Sequence, residues 1–347
     1  MRTRARSALL AMFIIAAGVV TIAVISGLVF ERVQREHDRE RFPQVGRSVD
    51  LGGRTLNIYC SGSGGPAIIL ESGATWAFFR DPKEMYRNGT PRPGYSWVRV
   101  QSELSKSTTA CWYDRAGSGW SDLGPYPRDS ASQARDLHAL LGAAAIAPPY
   151  VLVAESSAAL DARVFTGFYP AEVAGLVLVD GVDSGFFAAA RGQRAGRFPE
   201  FIGHSQDVVA QVFNQVGLYR FSSAGSEGPP AAPGGISAAE WKTIWHLTQS
   251  SKARSALIQD ISSWQDSASE ARAAGTLGDR PLVVLSSENT PVAPQFRTVW
   301  MDLQTQSARL SSRGKHVVVA GIAGDLIYQA PESIVEGVRL VTNEVRR

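Results

Sequence analysis

Between Arg47 and Val345 the chain alternates two kinds of apolar pattern. Short aliphatic runs, Ala67–Glu71, Thr109–Tyr113, Tyr150–Val153, Val173–Asp180, Pro281–Leu285 and Lys315–Ala320, are bounded by Gly, Pro, Ser or Asp and read as buried strands. Longer segments space their apolar residues at helical intervals. Trp97–Leu104, Ser130–Ala145, Phe296–Leu310 and Pro331–Val345 are of this kind; the last carries Ile334, Val338 and Val341 at i, i+4 and i+7. Ahead of them, Arg47–Cys60 alternates polar and apolar positions on either side of Gly52-Gly53. That is a hairpin, because both turn residues can take positive φ. Strands alternating with helices predict a mostly parallel sheet covered on both faces.

The N-terminus follows a different pattern. Ser7 to Phe30 contains no charged residue and is long enough to span a bilayer as a helix. Arg2, Arg4 and Arg6 form a basic tail before it, residues 1–6. A signal peptide is the competing reading, with Val24-Ile25-Ser26 at a cleavage position, but its apolar core is shorter, about 7–15 residues. An uncleaved anchor over 7–30 is therefore expected, then a charged linker over 31–46. The globular part is expected on the extracytoplasmic side, although the Lys/Arg balance across the span does not decide orientation cleanly.

Composition adds exclusions. The 347 residues carry a net charge of +3, and the basic residues are dispersed, so nothing points to nucleic acid. Five scattered His and two Cys make no zinc spacing, and no Gly-Lys-Ser/Thr follows Gly117-Ser118-Gly119. Neither a metal nor a cofactor is expected.

Candidate chemistry centres on Tyr150–Tyr169. A β run breaks at Ala154-Glu155-Ser156-Ser157-Ala158 and becomes helical, with Leu160, Val164, Phe165 and Phe168 along one face. Taken alone, the stretch also suits a buried strand followed by a helix with a Ser at its N-cap. Three further motifs decide between these readings: Leu70-Glu-Ser-Gly-Ala74, Tyr113-Asp-Arg-Ala-Gly-Ser-Gly-Trp-Ser-Asp122 and Val177-Leu-Val-Asp180. In that order and spacing, almost throughout 47–347, the chain resembles the α/β-hydrolases. The elbow resembles their G-x-S-x-G turn with both glycines replaced by alanine.

The resemblance implies an eight-stranded, mostly parallel sheet with helices on both faces. Its core comprises 47–183 and 279–347, and 184–278 is inserted as a helical lid, with helices at 207–216, 238–248 and 253–271. A second excursion, 77–95, holds Pro91-Arg-Pro93 and the sequon Asn88-Gly-Thr90. Because the second and fourth strands of this fold are antiparallel neighbours, the resemblance also implies a Cys60–Cys111 disulfide, with two unconnected buried thiols as the alternative.

For acyl transfer the family needs a serine, a histidine, an orienting carboxylate and two oxyanion N–H donors. The resemblance assigns Ser156 as nucleophile and draws the donors from Ser157 and from Gly73 or Ala74. Glu155 is compatible, since some carboxylesterase elbows carry Glu before the serine. The histidine falls on Gly324, counting back from Pro331, and the acid falls on Thr290. His316 stands at the wrong end of its strand, His138 on a surface helix, His37 in the linker, and His204 and His246 in the lid. Glu288 and Asp183 are substitute acids; Asp325 and Glu155 are the nearest candidate bases. The expected protein is a membrane-anchored α/β-hydrolase-fold protein with a broken triad, inactive or weakly active, that binds a small apolar ligand or a protein partner. The alternative is an active serine hydrolase for carboxylic esters, lipids or amides, using an unconventional base.

Overall fold

A computed structural model describes residues 2–74, 91–186, 188–189, 216–217, 229, 231–290, 292–322 and 325–346. Helix α1 (Arg2–Arg41) opens the chain, and the charged residues 31–41 continue it beyond the apolar stretch. It contains the one helix among the described residues that is long and apolar enough to cross a membrane.

The eight strands are β1 (Arg47–Asp50), β2 (Thr55–Ser61), β3 (Ala67–Glu71), β4 (Ala110–Tyr113), β5 (Tyr150–Glu155), β6 (Val173–Val179), β7 (Leu282–Ser287) and β8 (Gly314–Val319). They lie in the order β1-β2-β4-β3-β5-β6-β7-β8. β1–β2 and β2–β4 pair antiparallel and all other neighbours pair parallel. The Gly52-Gly53 turn closes the first hairpin at φ +83° and +95°, with both N–H groups donated to Asp50 Oδ1. Cys60 lies directly opposite Cys111 in the β2–β4 register, and the two are joined by a disulfide, as expected.

Helices α2 (Val98–Leu104), α3 (Ser130–Ala143), α4 (Ala158–Phe168), α5 (Ala238–Thr248), α6 (Ser251–Ser262), α7 (Trp264–Ala273), α8 (Arg297–Ala308), α9 (Leu326–Gln329) and α10 (Pro331–Val345) are the other α-helices among the described residues. The strand side chains alternate between two cores. Ile69, Leu152, Leu178 and Val284 pack with α3 and α4, while Leu70, Val153, Val177 and Leu285 pack with α2 and α10. Each such side chain contributes about 1.5–3 kcal/mol through burial. That is why the central strands read as unbroken apolar runs.

Two differences from the sequence expectation have physical causes. The helix expected over 253–271 is two, divided at Ser263, whose hydroxyl accepts the Arg128 N–H from the loop before α3. Helix α9 was not expected; it is a single turn that starts from Asp325 in a left-handed conformation. The helix expected over 207–216 and the sequon lie outside the described residues, apart from Val216, which is in a turn. Helix α5 starts on a capping box, Ser237 with Glu240, and α6 on a Ser250 cap. Arg115, just after β4, fastens these insertion helices to the core by bridging Asp161 of α4 at 2.9 Å and Asp260 of α6 at 2.7 Å.

Candidate active site

Ser156 stands where β5 ends and α4 begins. Its φ of +58° is a left-handed conformation rarely taken by a residue with a side chain, and it costs of order 1 kcal/mol. The turn is held because the Ser156 N–H donates to the Val179 carbonyl and the Ser156 carbonyl accepts the Val182 N–H. Ala154 and Ala158 flank it, fully buried, so one methyl fits on each side. Asp180, after β6, and Asp325, before α9, are also left-handed, at φ +42° and +60°. Strained residues of this kind gather at functional sites.

Glycine is required at 73. A Cβ there would lie 2.5 Å from the Glu155 carbonyl oxygen and 2.6 Å from the Ser157 nitrogen. The close approach lets the loop and the elbow exchange hydrogen bonds. Gly73 N–H donates to Glu155 Oε2 at 3.2 Å, and Ala74 N–H donates to Ser157 Oγ at 3.0 Å. Ser156 Oγ donates to the Ala74 carbonyl at 2.6 Å, and Ser156 is fully buried.

The chain returns to this loop after residue 90. Ala74 pairs with Pro91, and Arg92 N–H donates to the Gly73 carbonyl. The buried Arg92 guanidinium lies 3.0 Å from Asp325 and 3.6 Å from Glu155, over the ring of Tyr328 at 4.9 Å. Sequence reasoning passed over this arginine; the signal was a cation clamped between two prolines beside the oxyanion loop.

Gly324 lies outside the described residues. Its neighbour Asp325 is taken up by Arg92. Thr290 follows β7, buried, with its hydroxyl unpartnered. Glu288 accepts the Gly321 N–H. Asp183 is consumed locally, by Gly185 N–H at 2.7 Å and by the Ser307 hydroxyl of α8 at 2.8 Å.

The carboxylate nearest a triad acid in character is Asp180, which was read only as a strand end. Its Oδ1 accepts the Ser287 N–H and hydroxyl, while Oδ2 is buried without a partner. Among the described histidines, His138 stacks on Tyr169 and meets Glu172, His246 stacks on Phe42 near Asp38, and His316 lies between Ser286 and Thr305. His37 is exposed on α1, and His204 is outside the described residues.

Burial pushes Glu155 up to about 7, against the pull of Arg92, and the charge of Asp325 adds to the rise. Burial likewise raises Asp180 to about 6, against its Ser287 hydrogen bonds. The Glu155 proton is taken up on folding, so its contribution is fully present below the ordinary 4.5 and is lost as pH rises through 7. Glu155→Gln is therefore expected to flatten the fall in stability over that window, by about 3 kcal/mol at most. Urea unfolding at several pH values checks this; parallel curves for wild type and variant would show that Glu155 carries no such proton.

The strand order, the crossovers and the serine elbow define the α/β-hydrolase fold. Solved structures agree. A thermophilic esterase from Thermogutta terrifontis superimposes with a TM-score of 0.57 at 16% identity, covering 88% of this chain and all of that one. An α/β-hydrolase-fold protein from Burkholderia ambifaria gives 0.60 at 18%, covering 86% and 98%. The epoxide hydrolase CorEH gives 0.56 at 15%, covering 87% and 99%. No family model matches the chain. Among curated proteins, the uncharacterised YbdG of Bacillus subtilis (strain 168) is 24% identical over 168 residues, 48% of this chain and 47% of its own. The uncharacterised C23C11.06c of Schizosaccharomyces pombe (strain 972 / ATCC 24843) is 34% identical over 97 residues, 28% of this chain and 18% of its own. The matched stretches thus span about half of the first relative and under a fifth of the second.

Proposed function

We propose that the protein is a membrane-anchored α/β-hydrolase-fold protein whose serine site no longer catalyses ordinary ester hydrolysis, and that the site holds a small apolar ligand or a partner. One observation carries this reading: Ser156 Oγ spends its proton on the Ala74 carbonyl, and no described histidine partners it. A serine hydroxyl without an adjacent base is a poor nucleophile. The loop-side candidates for the oxyanion hole are engaged as well, since Gly73 and Ala74 N–H both donate to elbow side chains. Helices α5–α7 serve as the lid, and α1 as the anchor.

Glu155 makes a poor general base for Ser156 because its oxygens face Gly73 N–H and Arg92 while the serine hydroxyl turns to the Ala74 carbonyl, and Asp325 because Arg92 holds it. Glu155 also braces Gly73, so its role is to hold the oxyanion loop against the elbow. The competing reading, an active hydrolase with an unconventional base, draws on the esterase and epoxide hydrolase among the structural neighbours. A fluorophosphonate probe separates the two. The wild-type protein is expected to stay unlabelled, as Ser156→Ala does; labelling that Ser156→Ala abolishes would establish the hydrolase.

A further inference from the structure

Helix α1 does not part from the globular domain where its apolar stretch ends. Gly27 lies in the last turn of that stretch, so close to the Val216–Gly217 turn that a Cβ on it would meet the Val216 carbonyl oxygen at 2.5 Å. A Cβ on Gly217 would meet the Phe30 ring at 3.2 Å. Glu31 is buried, accepts the Ser251 hydroxyl of α6, and pairs with Arg35 at 3.0 Å. Two turns beyond Glu31, Asp38 faces His246 of α5 at 3.5 Å. Phe42 stacks on that imidazole at 4.0 Å, and its carbonyl accepts the Trp120 indole N–H.

These contacts run from Gly27 to Phe42, about 22 Å of chain at the helical rise of 1.5 Å per residue. A free helical stalk of that length would hold a domain clear of a surface. A helix clasped from its last apolar turn onward leaves no such gap. The elements that clasp it also reach the serine site, because Trp241 of α5 packs edge-on against Tyr328, the ring beneath Arg92.

We propose that the lipid head-group layer is a binding surface for the globular domain. The domain rests on that layer through the 216–217 turn and the start of α6 at Ser251, which meet α1 where its apolar stretch ends. This rests on the reading of α1 as a membrane span. Gly27 lies against Val216, which places the 216–217 turn level with the end of the hydrocarbon-crossing stretch.

Both cysteines are held in the disulfide, so a single introduced cysteine can carry a nitrobenzoxadiazole label. The full-length protein, reconstituted in phosphatidylcholine vesicles, is labelled at Ile15→Cys, Val216→Cys or Arg313→Cys and quenched by doxyl-labelled lipid. Arg313 precedes β8, at the end of the sheet opposite Ser156. Most of the fluorescence is expected to be lost at Ile15 with deep doxyl groups and at Val216 with shallow ones, and none at Arg313. Gly27→Leu is expected to bring Val216 to the Arg313 level while leaving Ile15 quenched. Quenching at Ile15 with Val216 no different from Arg313 would overturn the head-group contact and leave the anchor standing. Failure at Ile15 would overturn both.

Discussion

A Gly324→His variant is expected to raise ester turnover by at least about 100-fold over the wild type, the lower range for a positioned general base. Position 324 precedes Asp325, which Arg92 draws toward Glu155 and the elbow. We expect the acid for a restored imidazole to be Asp180 rather than an introduced Thr290→Asp. Asp180 is fixed through Oδ1 by Ser287, keeps Oδ2 buried and unpartnered, and feels the charge of Asp325. An imidazole N–H brought within reach would satisfy that oxygen. Adding Asp180→Asn to Gly324→His should therefore remove most of the gain, whereas adding Thr290→Asp should change it little. Steady-state kinetics on a p-nitrophenyl ester checks this. A folded Gly324→His protein with wild-type turnover would mean that more than the imidazole is missing.

Arg115→Met is expected to cost about 3–5 kcal/mol, the usual penalty for removing one partner of a buried ion pair. Arg115, Asp161 and Asp260 are all buried, and the arginine is the cation bridging the two carboxylates. Without it they face each other across the joint between α4 and α6. The hydrogen bonds from Ser130 to Asp161 and from Gln133 to Asp260 remain, but they do not cancel two desolvated charges. The melting temperature should drop by roughly 10 °C, and less at acid pH, where both carboxyls protonate. Adding Asp161→Asn and Asp260→Asn should restore much of the loss. A drop within the error of calorimetry would show that the bridge does not hold the insertion to the core.

The architecture was legible because its signals are local. Gly52-Gly53 sets a turn by backbone conformation, and unbroken aliphatic runs mark strands covered on both sides. The disulfide was legible only through the fold, which places Cys60 opposite Cys111. The site was legible in part. Ser156 and its loop partners follow from the strand–turn–helix pattern, but the choice of acid does not. Asp180 and Asp183 are three residues apart in one loop, and only packing shows that α8 consumes Asp183 while Asp180 keeps an oxygen free. Arg92 was hidden for the same reason. Its partners lie on the elbow and beyond β8, distant in sequence and joined by the tertiary fold. The division of 253–271 at Ser263 likewise depends on a hydrogen bond from Arg128, more than a hundred residues earlier.

In the subtilisin triad, losing the histidine alone costs a factor of about 10⁶ in turnover, so the elbow identifies the architecture far better than the reaction. The central claim is that Ser156 is a preserved but unactivated serine. Intact mass after prolonged incubation with excess fluorophosphonate tests it most directly. The predicted result is an unchanged mass for the wild type, equal to that of Ser156→Ala treated in the same way. One phosphonyl group per chain, mapped to Ser156 and absent from the variant, would contradict it.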